Sequence, residues 1–155
     1  MYRTRAVIDM SSLICAGLVM ILCLPRSGAV QCGGLHVLSL ETPEVTISSP
    51  GFTNGLYYPD RCQCQWTIIG PEPYVLKVEF SAFSIEESQT CQFDKLIFDG
   101  TGSCDFKSPR RHCGDIPPEP ITSSGNILCL RFISDSHIRD SGFRLTIKIF
   151  GNVLR

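Results

Sequence analysis

The chain has 155 residues, with 14 Lys and Arg against 15 Asp and Glu, a formal net charge of −1 and nine cysteines. The near balance of charge, without a basic stripe, speaks against a dedicated nucleic-acid binder. The length suits one domain of ordinary size and leaves no room for a second.

Residues 1–29 have the layout of a secretory signal. Arg3 and Arg5 form a basic start, residues 13–24 are an apolar run, and Ser27, Gly28 and Ala29 offer small residues for cleavage. The run falls short of the roughly 20 residues that span a bilayer, so no membrane span is predicted. The mature chain is predicted to begin at Val30 and to form a single domain over 30–155, with a core of 32–150. Loss of Arg3, Arg5, Arg26 and Asp9 leaves 11 basic and 14 acidic residues, a charge of −3.

From Val30 onward, short strand-like runs alternate with Gly, Pro, Asn, Asp and Ser clusters, the spacing of an all-β sandwich. The predicted strands cover 45–48, 65–69, 74–80, 95–98, 127–133 and 143–150. Leu76, Val78 and Phe80 fall on one face, with Lys77 and Glu79 on the other. Leu128, Leu130 and Phe132 oppose Cys129 and Arg131 in the same way. Phe143, Leu145, Ile147 and Ile149 form the apolar face of the last strand, and Trp66 alternates inward with Ile68. Turn formers at Ser49-Pro50-Gly51, Pro59-Asp60, Gly70-Pro71, Asp99-Gly100 and Ser124-Gly125-Asn126 separate the runs.

Seven cysteines remain in the mature chain: Cys32, Cys62, Cys64, Cys91, Cys104, Cys113 and Cys129. In a secreted chain they read as a disulfide framework, and the odd number leaves one thiol free or paired with another chain. A zinc site from Cys62, Cys64, His112 and Cys113 is disfavoured, because Cys-x-Cys is tighter than the usual ligand spacing and no matching second pair exists.

Catalysis finds little support. His36, His112 and His137 are scattered, no Ser or Cys stands in a nucleophile motif, and Glu86-Glu87 are neighbours that would seldom flank one glycosidic bond. No Asn-x-Ser/Thr sequon is present. Lys107, Arg110 and Arg111, with His112, form the one basic cluster. It reads first as a solvated loop and second as a contact for a polyanion or glycosaminoglycan.

A series of short signatures resembles the CUB domain family. Cys32-Gly33-Gly34 is similar to the family's opening, and Ser49-Pro50-Gly51-Phe52 with Tyr58-Pro59 to its first hairpin. Cys64-Gln65-Trp66-Thr67-Ile68, Cys91-Gln92-Phe93-Asp94, Cys113-Gly114, and Phe132-Ile133-Ser134-Asp135 with Gly142-Phe143 follow in the family's order. The resemblance implies a two-sheet, antiparallel, jelly-roll-like β-sandwich stapled by Cys32 with Cys64 and by Cys91 with Cys113. Cys62, Cys104 and Cys129 depart from the pattern. Cys104 could pair with Cys129 or with Cys62, and Cys62 in place of Cys64 is a further alternative. Pairing Cys104 with Cys129 is preferred; it would tie a loop across the outer face of a sheet and leave an exposed Cys62 thiol able to link two chains into a homodimer.

The resemblance also implies a calcium site. Glu86 stands five residues before Cys91, Asp94 three after it, and Asp135 ends Phe132-Ile133-Ser134-Asp135, the family's positions for calcium-binding acids. Tyr58 stands where the family's supporting tyrosine does. Calcium takes six to eight oxygen ligands, and three carboxylates converging without a cation would repel one another. The stretch after Asp135 departs from the family's Ser and Asn: carbonyls of Ser136 and His137 are the further ligands expected here, and Arg139 is a cation that could compete with the ion. The expected function is that of a secreted, extracellular, non-enzymatic binding module. Its occupied calcium site would take a Lys or Arg of a partner protein, with a glycan-binding protein similar to the spermadhesins as the alternative.

Overall fold

Apolar alternation builds two sheets that bury their facing sides against each other. The computed structural model describes residues 30–107 and 110–152, so the signal predicted over 1–29 lies outside the described residues. Among the described residues there are nine strands: β1 (Val30–Val37), β2 (Glu44–Ser48), β3 (Cys62–Ile69), β4 (Tyr74–Ser84), β5 (Lys95–Asp99), β6 (Arg110–His112), β7 (Ile121–Thr122), β8 (Ile127–Ile133) and β9 (Gly142–Asn152). One sheet has the order β1-β3-β8-β5-β6 and the other β2-β9-β4-β7. All pairings are antiparallel except β1 with β3, which run parallel and set Cys32 opposite Cys64. The fold is thus the predicted all-β sandwich, and no helix among the described residues is long and apolar enough to cross a membrane.

The core consists of the predicted inward faces. Leu76 and Val78 of β4, Leu128, Leu130 and Phe132 of β8, and Phe143, Leu145 and Ile147 of β9 are all fully buried. Edge-to-face contacts link Trp66 to Phe143, Phe143 to Phe132 and Phe132 to Tyr58 in one aromatic chain. β4 is longer than its alternation suggests, because an irregularity between Phe80 and Ala82 resets its phase and turns Phe83 and Ile85 inward.

Three disulfides close Cys32–Cys64, Cys91–Cys113 and Cys104–Cys129. The third lays the loop after β5 over the outer face of the five-stranded sheet. Asp99 organises that loop: its carboxylate accepts hydrogen bonds from the Thr101 amide and hydroxyl, the Ser103 hydroxyl and the Phe106 amide. These bonds, the Thr101 hydroxyl first, hold its pKa down at about 2.

Cys62 requires a correction. The free thiol was expected at the surface, within reach of a second chain, but it is fully buried. Cys62, Cys64, Trp66 and Ile68 alternate along β3, so the strand period that sends Trp66 inward sends Cys62 inward too. The thiol donates to the Pro59 carbonyl (3.2 Å), and burial pushes its pKa up. A sealed thiol of this kind is a poor nucleophile and cannot bridge two folded copies.

Candidate metal centre

The three predicted acids come from three loops at one end of the sandwich. Register sets Gln63, Ile133 and Lys95 side by side, so the start of β3, the end of β8 and the start of β5 coincide there. Asp94 immediately precedes β5 and Asp135 follows β8 by two residues. Glu86 follows a two-way backbone bridge between Ile85 and Gly114 (2.9 and 2.8 Å). Cys91–Cys113 fastens the intervening loop.

One carboxylate oxygen of each of Glu86, Asp94 and Asp135 lies within 4.8 Å of the other two. Backbone and side-chain bonds hold them in place. The Asp135 amide donates to Asp94 Oδ1 (2.7 Å), the Arg61 amide donates to the Asp135 carbonyl (2.6 Å), and Lys95 Nζ donates to the consecutive Gln92 and Phe93 carbonyls just before it. Tyr58, fully buried, accepts the Glu86 amide hydrogen at its hydroxyl (3.1 Å).

The electrostatics are those of converging, mutually repelling carboxylates. Burial first, then the charges of Asp94 and Asp135, raises the Glu86 pKa. Burial is also the main cause for Asp94, with Asp135 adding to it against the Asp135 amide and the Tyr58 hydroxyl. Burial and Asp94 raise the Tyr58 pKa, so the phenol stays a donor. Glu86 Oε2 and Asp94 Oδ2 are buried with no hydrogen-bond partner. A folded domain seldom leaves two such oxygens unmatched. Hard carboxylate oxygens with no sulfur or nitrogen in the group suit calcium and not zinc.

The remaining predicted residues sit around this centre. The His137 amide donates to Asp135 Oδ1 (2.8 Å), its exposed ring lies 3.6 Å from Asp135 Oδ2, and the Ser136 hydroxyl lies 3.3 Å from that ring. Arg139 does not enter the site: its Nε pairs with Asp60 Oδ1 at 3.2 Å, an acceptor the sequence reading passed over. The basic cluster is divided. Lys107 pairs with Asp105 (2.9 Å), and Arg110 and Arg111 belong to a strand, where successive side chains leave on opposite faces.

The raised carboxylate pKa values carry a stability consequence. Between its unfolded and folded pKa, Glu86 binds more protons in the native state, so its contribution is present at low pH and lost as pH rises through the folded value. In a chelating buffer Glu86→Gln is therefore expected to melt above the wild type at pH 7, with the gap closing as pH falls to about 4.5, the ordinary Glu range. Comparing the two chains cancels His112, whose pKa burial lowers and which acts with the opposite sign. A gap independent of pH would rule this out.

A family model of the CUB domain matches residues 32–147. Cubilin of Sus scrofa is 43% identical over 117 residues, covering 74% of this chain and 3% of that protein. Procollagen C-endopeptidase enhancer 1 of Rattus norvegicus is 34% identical over 113 residues, covering 72% of this chain and 23% of that protein. The chain spans between 3% and 27% of the length of the curated relatives it matches. Among solved structures, the MASP-1 CUB2 domain bound to Ca2+ superposes with a TM-score of 0.61 at 26% identity, covering 73% of this chain and 96% of that one.

Proposed function

We propose that this chain, which belongs to the CUB domain family, is a secreted, non-enzymatic binding module that holds a calcium ion between Glu86, Asp94 and Asp135 and engages a basic residue of an extracellular protein. The observation that carries the reading is the pair of buried, unpartnered oxygens, Glu86 Oε2 and Asp94 Oδ2, beside Asp135. The likeness to a calcium-bound CUB2 domain supports it.

A calcium ion there supplies two positive charges against three carboxylates and joins the three loops. Carbonyls of Ser136 and His137 are the further protein ligands proposed, with Tyr58 fixing the orientation of Asp94 and the Glu86 backbone. One negative charge remains in excess, which favours a Lys or Arg from a partner over a neutral or acidic side chain.

Calcium titration of the chain from Val30 by calorimetry, with melting curves in calcium and in chelator, tests the reading. A saturable heat and a higher melting temperature in calcium are expected. Identical melting in both buffers, without a binding isotherm, would refute it.

A further inference from the structure

Four strands end the two sheets: β1 and β6 in one, β2 and β7 in the other. An edge strand offers a row of unpaired N–H and C=O groups to any extended chain, and proteins blunt it by shortness, charge or proline. Three of these edges are blunted. β6 has three residues and opens on Arg110-Arg111, β7 has two, and β2 has five and opens on the exposed Glu44. β1 is the exception: it runs for eight residues, Val-Gln-Cys-Gly-Gly-Leu-His-Val, with no Pro, Lys, Arg, Asp or Glu.

Only one side of β1 is used by the sheet. The Val30 amide donates to the Arg61 carbonyl (3.0 Å), and just past the strand the Leu38 amide donates to the Ile69 carbonyl (2.8 Å). The parallel register is unbroken from Val30 opposite Cys62 to Val37 opposite Ile69. Even-numbered residues therefore turn their main-chain groups to β3, and Gln31, Leu35 and Val37 turn theirs to the free side. Side chains sort by the same period. Leu38 is buried and Cys32 partly so, whereas Leu35 is 63% and Val37 67% exposed on the outer face. Gly33, two residues before Leu35, presents no side chain there; a Cβ would overlap the Gln65 carbonyl.

We propose that β1 pairs antiparallel with β1 of a second copy of this chain, joining two five-stranded sheets into one of ten strands. The edge is complementary to itself. Each copy offers the same alternating donors and acceptors, so a two-fold axis satisfies both rows at once. A strand without formal charge meets its own copy without repulsion. With the axis beside Leu35, Leu35 lies against its own counterpart, and Val37 lies against Gly33, where the missing side chain leaves room. This contact needs no thiol, unlike the disulfide-linked homodimer that the burial of Cys62 excludes, and it does not depend on the calcium site. A single strand pair buries less than the roughly 1,000 Å² of a stable interface, so the dissociation constant is expected above about 1 µM.

Sedimentation equilibrium of the chain from Val30, between about 1 and about 300 µM in calcium and in chelator, tests this. The mass is expected to rise towards twice the monomer's in both buffers. Leu35→Lys with Val37→Lys sets like charges across the axis and should raise the dissociation constant at least about tenfold. Leu56→Lys with Ile116→Lys adds the same charge at other exposed apolar positions and should leave it within about twofold. Equal melting of the two variants excludes misfolding. Amide hydrogen exchange of the wild type gives a second reading that needs no variant. The Leu35 and Val37 amides should slow by about tenfold or more at high concentration, while those of His36 and Leu38, already bonded to β3, should not. A monomer at every concentration, a dimer untouched by the β1 lysines, or protection gained elsewhere would overturn the proposal. So would a dimer seen only in calcium, which would place the contact at the acidic end of the sandwich.

Discussion

Asp94→Asn is expected to lower the melting temperature in calcium by roughly 10 °C while leaving it unchanged or higher in chelator. The substitution keeps the shape of the side chain and an oxygen to accept the Asp135 amide hydrogen, so the bond that joins the two loops survives. It removes the charge that burial and Asp135 penalise, which is a gain when no cation is present. With calcium at about 100 times its dissociation constant, the wild type is stabilised by about 2.7 kcal/mol. For a domain of this size that is worth roughly 10 °C, and the variant forfeits it. A purely structural aspartate would lower melting by the same amount in both buffers, and that outcome, read by differential scanning calorimetry, would remove the metal from the account.

Strands with strict alternation were readable in sequence. Leu128, Leu130 and Phe132, and Phe143, Leu145 and Ile147, lie in the core because one face of a strand can be apolar only with period two. β1 was not readable. Gly33 and Gly34 interrupt it, Leu35 and Val37 are exposed, and its place is set by parallel pairing to β3, a distant segment. β6 carries Arg-Arg-His and no apolar signal, so the basic run read as a loop. The burial of Cys62 was readable from its phase with Trp66 but was masked by the odd cysteine count. At the acidic cluster, the resemblance to the CUB family pointed to Glu86 and Asp94 by their positions about Cys91, whereas their burial and their unpartnered oxygens required the packed loops.

Gly142→Ala is expected to cost about 3 kcal/mol or more, because three penalties meet at one position. Gly142 opens β9 with φ at +88°, a left-handed conformation that disfavours a side chain. A Cβ there would overlap the Ser49 hydroxyl and come within 3.3 Å of Tyr58 Cδ1. Ser49 is buried, and its hydroxyl accepts the Phe143 amide hydrogen (3.1 Å), so moving it leaves an unmatched donor in the core. The expected fall in melting temperature is roughly 10 °C. Gly125→Ala is the control: no atom lies within 4 Å of its would-be Cβ, and its φ is not positive, so melting should barely change. Because the new methyl presses on the ring whose hydroxyl faces Glu86 and Asp94, Gly142→Ala should also weaken calcium binding. Adding Ser49→Gly removes the overlapping atoms and should restore part of the loss, a coupling measurable in a double-mutant cycle. If Gly142→Ala and Gly125→Ala melt within about 2 °C of each other, less than 1 kcal/mol separates them, and the close approach of β9 to Ser49 and Tyr58 is not what fixes the acid-bearing end of the sandwich.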